Sequence, residues 1–330
     1  MLERVLQSLD GSPHSFDDPQ QIAIAEDGTI VIVDGRPGQL MAFSAGTGPP
    51  RLIASPGAGP GDVNHPMIAL HGDTVVAYNG PLARLTRFTL DGNLIGQAYL
   101  RTNRIGMPVA VDGKNHAWII HRSRASGGAS SDQWIRYDSQ GLAIDSITLP
   151  VLIEPRTWER VANEQATRWI LPFEPSTRHL VRRRGDVVYG RTDLNEFIVT
   201  ITGSDTIQIF GRSGTVPEPL TDSERDSVIG AALVRIGDKG DAKDAEVART
   251  RPIWSTIRED GAENLWVERE PSRLASDGTV FDVYDRDGRF RGQVAAPFRS
   301  TRIAFSTDRV AVVDEDSSGL PRIQVFRIER

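Results

Sequence analysis

One phrase recurs along the chain: a short apolar run, a tight turn rich in aspartate and glycine, then a second apolar run. It appears as Ile22–Val33 around Asp27-Gly28, Met67–Ala77 around Gly72-Asp73 and Val109–Ile120 around Asp112-Gly113. It returns as His179–Tyr189 around Gly185-Asp186, Ile253–Val267 around Asp260-Gly261 and Ile303–Val313 around Asp308. An Asp-Gly pair between β-rich runs is a strong hairpin signal, because it supplies the left-handed backbone that a tight turn needs. A second hairpin follows most copies, as in Leu85–Gly96, Trp134–Ile144 and Phe281–Gly292. Two hairpins per copy make a four-stranded antiparallel sheet. The copies are spaced by 44, 41, 72, 76 and 47 residues. A propeller blade repeats every 40–45 residues or so, so the two long spacings carry insertions of roughly 30 residues.

Six units in 330 residues predict one all-β domain, a six-bladed β-propeller of four-stranded antiparallel blades. After Ser300 the last unit has room for three strands, near 302–306, 309–314 and 321–328. The opening segment, residues 1–10, contains the β-compatible Leu2–Leu9 and has no blade of its own. Placed as the outer strand of the last blade it joins the two ends of the ring. A closed ring leaves only short, protected sheet edges.

The segment Gly57-Ala58-Gly59-Pro60-Gly61-Asp62 leading to Pro66 resembles the Gly-Pro-Gly stretch between blades of bacterial six-bladed propellers of the NHL and TolB-like kind. The phrases Asp260-Gly261…Asn264-Leu265-Trp266-Val267 and Val283-Tyr284-Asp285-Arg286-Asp287-Gly288 are similar to the hairpins of the same proteins. The resemblance covers nearly the whole chain and implies fold. Such propellers include binding domains, lactonases and lyases, so it implies no single activity.

In a propeller, the links from one blade's outer strand to the next inner strand share a face with the loops between second and third strands. The tight Asp-Gly turns lie on the opposite face. The long segments here, about 150–176, 212–252, 122–132 and 268–278, all belong to the first class. One face is therefore elaborated, and loops on a rigid scaffold are where binding usually resides. Thr221-Asp-Ser-Glu224 matches a capping box, and Val228, Ile229, Ala232, Leu233 and Ile236 follow at helical spacing. In the other insertion Trp158, Val161, Ala162 and Ala166 form a stripe, with Trp169 just beyond. Short helices are expected in both, either packed on the propeller or presenting a tryptophan as a partner anchor. The Arg122–Gln133 loop, rich in serine and glycine, reads as mobile.

The residues just before each inner strand should surround the mouth of the central channel. They are Asp17–Pro19, Asn64–Pro66, Arg104–Pro108, Arg178-His179, Arg249–Pro252 and Arg299–Arg302. Four of the six blades bring arginine there, in a chain of net charge −6. Such guanidiniums suit a carboxylate, a phosphate or an acidic protein segment, or else pair with neighbours such as Asp17, Asp62 and Glu174. The expected partner-binding residues are Trp158, Arg160, Trp169, Arg178, Arg251 and Arg302. His65, Arg104, His179 and Arg299 are expected around the channel mouth.

Several chemistries are excluded. With no cysteine there are no disulfides, thiolate metal sites or thiol nucleophiles, which fits a reducing cytosol or an oxidising envelope. The acidic balance disfavours nucleic acid, and the run Arg182-Arg183-Arg184 lacks interleaved aromatics and is split by period-two facing. No apolar run reaches the roughly 18 residues of a spanning helix. The first residues lack the basic and apolar regions of a signal peptide, so either the protein is not exported this way or a leader has been removed, and membrane contact, if any, is expected to be peripheral. The resemblance to propeller lactonases implies an ion held by Glu, Asn and Asp of successive inner strands. This chain offers His65, His179, Arg251 and Arg302 there, and Asn64 with Asp18 are too few, so no metal and no cofactor are predicted. Serine-elbow, phosphate-loop and zinc-helix motifs are missing. The sequence predicts a non-enzymatic scaffold that binds a protein partner, an extrinsic subunit of a bacterial envelope or membrane-attached complex in the periplasm. The alternative is a hydrolase or lyase acting on an anionic small molecule at the channel mouth through histidine and arginine.

Overall fold

The structure, a computed structural model, describes residues 1–7, 16–35, 38–46, 48–100, 109–124, 130–162, 165–200, 207–236, 247–270 and 278–329. Within these, it describes the backbone alone at 122–124, 130–132, 158–162, 165–169 and 231–236. The chain opens with β1 (Leu2–Gln7). Blade 1 is β2 (Pro19–Ile24), β3 (Ile30–Asp34), β4 (Gln39–Phe43) and β5 (Arg51–Ala54); blade 2 is β6 (Pro66–His71), β7 (Thr74–Asn79), β8 (Arg84–Thr89) and β9 (Leu94–Tyr99). Blade 3 is β10 (Val109–Val111), β11 (Ala117–Arg124), β12 (Ser130–Tyr137) and β13 (Ala143–Leu149). A separate two-stranded sheet, β14 (Thr157–Ala162) and β15 (Gln165–Ile170), precedes blade 4, which is β16 (Thr177–Val181), β17 (Val187–Arg191), β18 (Glu196–Thr200) and β19 (Ile207–Gly211). The helix α1 (Asp222–Ile236) leads to blade 5: β20 (Trp254–Glu259), β21 (Leu265–Arg269), β22 (Thr279–Tyr284) and β23 (Phe290–Ala296). Blade 6 is β24 (Ile303–Phe305), β25 (Arg309–Glu315) and β26 (Pro321–Arg327), with β1 as its outer strand.

This is the predicted six-bladed propeller, closed as predicted. β1 runs antiparallel to β26, with Val5 opposite Gln324 and Leu6 opposite Ile323. The interior is divided into six apolar clusters, one for each seam between neighbouring blades, including the seam between blades 6 and 1. The second strands explain the packing. In β3, Ile30 and Ile32 face blade 6 while Val31 and Val33 face blade 2, and all four are buried. A strand covered on both faces has no room for the usual polar alternation, so it reads as a continuous apolar run.

Two local devices follow from the sequence phrase. In blades 3 and 5 the turn aspartate caps its own turn and also accepts from a tryptophan six residues on. Asp112 takes the Trp118 indole N–H at 3.1 Å and the Lys114 and His116 amides at 2.9 and 3.0 Å; Asp260 takes the Trp266 indole at 3.0 Å and the Ala262 and Asn264 amides at 2.8 and 2.9 Å. Burial pushes the Asp112 carboxyl up, but the His116 amide, the Trp118 indole and the Lys114 amide outweigh it and hold it below its usual range. The second device seals the outer rim. A Cβ on Gly92 would lie 3.1 Å from the Leu52 carbonyl oxygen, and one on Gly141 3.0 Å from Ala98; one on Gly288 would lie 2.6 Å from Phe210. The outer turn of a blade thus presses on the outer strand of the blade before it, and only glycine permits that approach.

The Gly-Pro-Gly stretch owes its shape to a buried cation. Arg84 donates to the carbonyls of Ala58 and Gly59 at 3.0 and 2.9 Å and to that of Asp62, and it is fully buried. Asp62 in turn accepts the Gly59 amide at 3.0 Å.

One expectation is corrected. The 150–176 insertion carries a β-hairpin where a helix was expected, so among the described residues α1 is the only α-helix. Trp158 pairs with Trp169, and Ala162 with Gln165. Period two therefore puts Trp158, Arg160 and Ala162 on one face and Val161 and Ala166 on the other, which breaks the supposed helical stripe. The β-branched and aromatic content of 157–170 favours strands, and only two residues separate β14 from β15, as in a tight hairpin.

Candidate partner-binding face

Both insertions lie between the outer strand of one blade and the inner strand of the next, on the linker face and flanking blade 4. The hairpin is clamped at its base. Arg156 donates from its side chain to the Glu174 carboxylate at 2.7 and 3.0 Å, and its backbone amide reaches the same group at 3.2 Å. Glu174 is buried while the Arg156 side chain is half-exposed, so this charge-assisted pair is anchored on the protein side and partly screened on the other.

The helix is started by the predicted capping box. The Thr221 hydroxyl accepts the Glu224 amide at 3.3 Å while the Glu224 carboxylate takes the Thr221 amide at 3.0 Å. Val228 of α1 and Leu220 just before the helix are buried, and Ile229 is half-buried. The side chains of Ala232, Leu233 and Ile236 lie outside the described residues. Glu224 also holds Arg251 in a close ion pair. Arg251, with the Thr221 amide adding to it, pushes the Glu224 carboxyl down to about 2. The Arg251 guanidinium stands 5.9 Å from the ring of Phe173, a residue of the first insertion. One arginine thus joins both insertions, by a carboxylate on one side and an aromatic face on the other.

The expected site residues are distributed as follows. Arg251 is buried in that clamp. Arg178 is exposed at the start of β16, and Arg299 is exposed and donates to the Gly278 carbonyl at 3.4 Å. Arg302 donates to the Pro19 carbonyl at 2.8 Å and stands 4.0 Å from Asp18, tying blade 6 to blade 1. His65 is exposed with a left-handed backbone, φ 46°. The His179 ring packs edge-on against Trp134 of blade 3, centroids 5.5 Å apart. His65 and His179 therefore belong to different blades that are not neighbours. Arg104 lies outside the described residues, as do the side chains of Trp158, Arg160 and Trp169 and the central part of the Arg122–Gln133 loop.

The channel has features that local sequence reasoning missed. Gln21 of β2 accepts the Ile68 amide at 3.0 Å and donates to the Pro66 carbonyl at 2.8 Å. It satisfies the free inner edge of β6 as a neighbouring strand would. On the turn face, Arg183 of blade 4 reaches Glu26 of blade 1 at 3.5 Å. Those blades are opposite in the ring, so the pair bars the channel at that end. Beneath it Arg182, fully buried, donates to Glu259 at 3.0 Å and stands 3.7 Å from Asp186. Burial pushes the Glu259 carboxyl up, against the Arg183 amide and the Arg182 guanidinium. Arg184 pairs with Asp186, so each of the three successive arginines is held by a carboxylate. Glu26 and Arg183 are 157 positions apart, and no local pattern links them.

A buried His121–Tyr137 pair, 3.0 Å from Nε2 to the hydroxyl, also lies off the predicted site. Burial pushes the Tyr137 hydroxyl up to about 12, which keeps it neutral. Among the described residues no three of His, Asp or Glu converge as a metal site, and no helix is long and apolar enough to cross a membrane.

No protein-family profile matches the chain, and no curated protein matches it. Solved structures do. An exported protein of Bacteroides fragilis, so described only provisionally, aligns at TM-score 0.54 with 10% identity over 100% of this chain and 95% of its own. Virginiamycin B lyase of Staphylococcus aureus aligns at 0.46 with 10% identity over 98% and 99%. A DUF4221 member of Bacteroides vulgatus aligns at 0.42 with 10% identity over 99% and 98%. The likeness is one of fold. At this identity it carries no activity to the chain.

Proposed function

We propose that the protein is a non-enzymatic propeller of the NHL/TolB-like kind that binds a protein partner through its linker face, as a scaffold or extrinsic subunit of a bacterial envelope complex. The carrying observation is the Arg251 clamp, in which α1 and the segment below the β14–β15 hairpin meet at one buried arginine. Ordered elements held by a buried ion pair present a fixed surface, which lowers the entropy lost on binding. Arg178 and Ile170 are exposed beside this platform, and Trp158, Arg160 and Trp169 lie on its hairpin. Envelope placement accords with the cysteine-free composition and with the exported fold neighbour.

The blind channel supports a second reading, a hydrolase or lyase for a small anion entering from the linker face near Arg302. Its histidines are held in separate blades, which favours the first. The deciding experiment replaces 157–170 with a short Gly-Ser link and compares affinity purifications from soluble and mildly solubilised membrane fractions of the source cells. A stoichiometric partner should be lost while the melting temperature stays within a few degrees. Retention of the same partner by the shortened protein refutes the proposal.

A further inference from the structure

The seam between blades 5 and 6 lacks a contact that three of the others have. In blades 2, 3 and 5 an outer Asp-Gly or Gln-Gly turn presses on the preceding blade's outer strand. Blade 6 has no such turn, because its outer strand is β1 and no hairpin joins β26 to β1. What remains is a cleft of about 980 Å³ between β23 and blade 6. That is at the upper end of the range for small-molecule sites, roughly 300–1,000 Å³.

The cleft has a direction. Its walls are Trp266, Phe281, Phe298, Phe305 and Phe326, and Val294 lies 40% exposed along one side. Gly292 leaves open space where a side chain would stand. From Gly292 to Pro297 the β23 wall runs roughly 17–20 Å at about 3.3 Å per residue. The far end, Ala295 to Phe298, is apolar, whereas Asp285, Arg291, Arg327 and Glu329 gather at the turn-face end. The interior polar groups are already engaged: Asp260 takes the Trp266 indole, Asn264 donates to Asp260, and Gln293 donates to Asp282 at 2.8 Å. The two arginines are held by long contacts, Arg291 at 4.0 Å from Asp285 and Arg327 at 3.9 Å from Asp308, and are 67% and 57% exposed. An elongated apolar slot whose charged end carries two exposed arginines beside Asp285 and Glu329 complements an extended alkyl chain ending in a group that a guanidinium can hold.

We propose that this cleft binds a single-chain amphiphile with an anionic head, a long-chain carboxylate, its chain lying between blades 5 and 6 and its head at Arg327 and Arg291. The site is independent of the linker-face insertions.

The test uses the full chain with dodecanoate and dodecanol, read by calorimetry and native mass spectrometry. Dodecanoate should bind one per chain and raise the melting temperature by mass action. Val294→Trp, which fills the slot from its exposed side, should weaken binding at least tenfold. Arg327→Ala should weaken dodecanoate several-fold and leave dodecanol unchanged. Circular dichroism verifies that each variant is folded. Should Val294→Trp not fold, a diazirine-bearing fatty acid on the unmodified protein should label β23 and β26. The proposal is overturned by dodecanol binding as tightly as dodecanoate, by unchanged affinity in a folded Val294→Trp, or by labelling elsewhere. It is equally overturned if the native mass spectrum shows a second copy of the chain occupying the cleft in place of the 1:1 complex.

Discussion

The turn aspartate of blade 5 offers a quantitative test of how the repeated phrase stabilises the ring. Asp260 is fully buried and accepts from the Ala262 and Asn264 amides, the Asn264 side chain and the Trp266 indole. In Asp260→Ala the half-buried turn amides can turn to water, each losing a net contribution of about 0.5–1 kcal/mol. The indole N–H of Trp266, only 5% exposed, has no such recourse, and an orphaned buried donor costs about 1–3 kcal/mol. The expected loss is about 3 kcal/mol. With an unfolding entropy of about 2.1 cal/mol/K per residue, it lowers the melting temperature of a chain this size by about 4–5 °C. Differential scanning calorimetry reads this directly. The stronger check is a cycle with Trp266→Phe, which removes the donor and keeps most of the ring. Asp260→Ala should cost about 1–3 kcal/mol less in that background, and Asp112 with Trp118 in blade 3 should repeat the result. Additive effects in both blades would show that the indole contact does not matter.

Two further predictions concern the linker face and the closure. Glu224 is pushed down to about 2 by Arg251 and the Thr221 amide. A depressed carboxyl stabilises above its ordinary value near 4.5 and loses that contribution as pH falls towards 2. The protection of the 222–236 amides, meaning exchange corrected for its intrinsic pH dependence, should therefore be constant from pH 7 to 5 and fall below it. Release of α1 already at pH 6, or the same profile in Glu224→Gln, contradicts the clamp. Deleting residues 1–7 removes the ladder to β26 and the burial of Leu6, together about 3–5 kcal/mol. The truncated ring should melt lower and self-associate through the bared β26 edge; an unchanged monomer by light scattering would refute the closure argument.

Much of this architecture was legible in the linear chain because blades are local. Each hairpin closes within a dozen residues, so Asp-Gly turns, apolar runs and their spacing reveal blade number and strand order. The blade that borrows a distant strand was visible too, as three strands at one end and an unassigned strand at the other. The capping box at Thr221 was readable for the same reason, since its partners are three residues apart. The hairpin at 157–170 was misread because a short stretch of mixed apolar residues satisfies helical and strand periods alike, and the strand pairing of Trp158 with Trp169 decides between them.

What only the tertiary structure decided are the contacts between blades. Arg251 looked like a ligand-facing arginine, yet Glu224 and Phe173 enclose it. Arg182 and Arg183 looked like a basic run, yet they meet Glu259 and Glu26 across a seam and across the ring. The cleft between blades 5 and 6 is lined by residues from three strands of blade 5 and both ends of the chain, a convergence that no stretch of sequence contains. Turn chemistry acts over a few bonds and is written in neighbouring residues. The fate of a charge depends on what a closed ring brings within 4 Å of it, and that is fixed only when the last strand is in place.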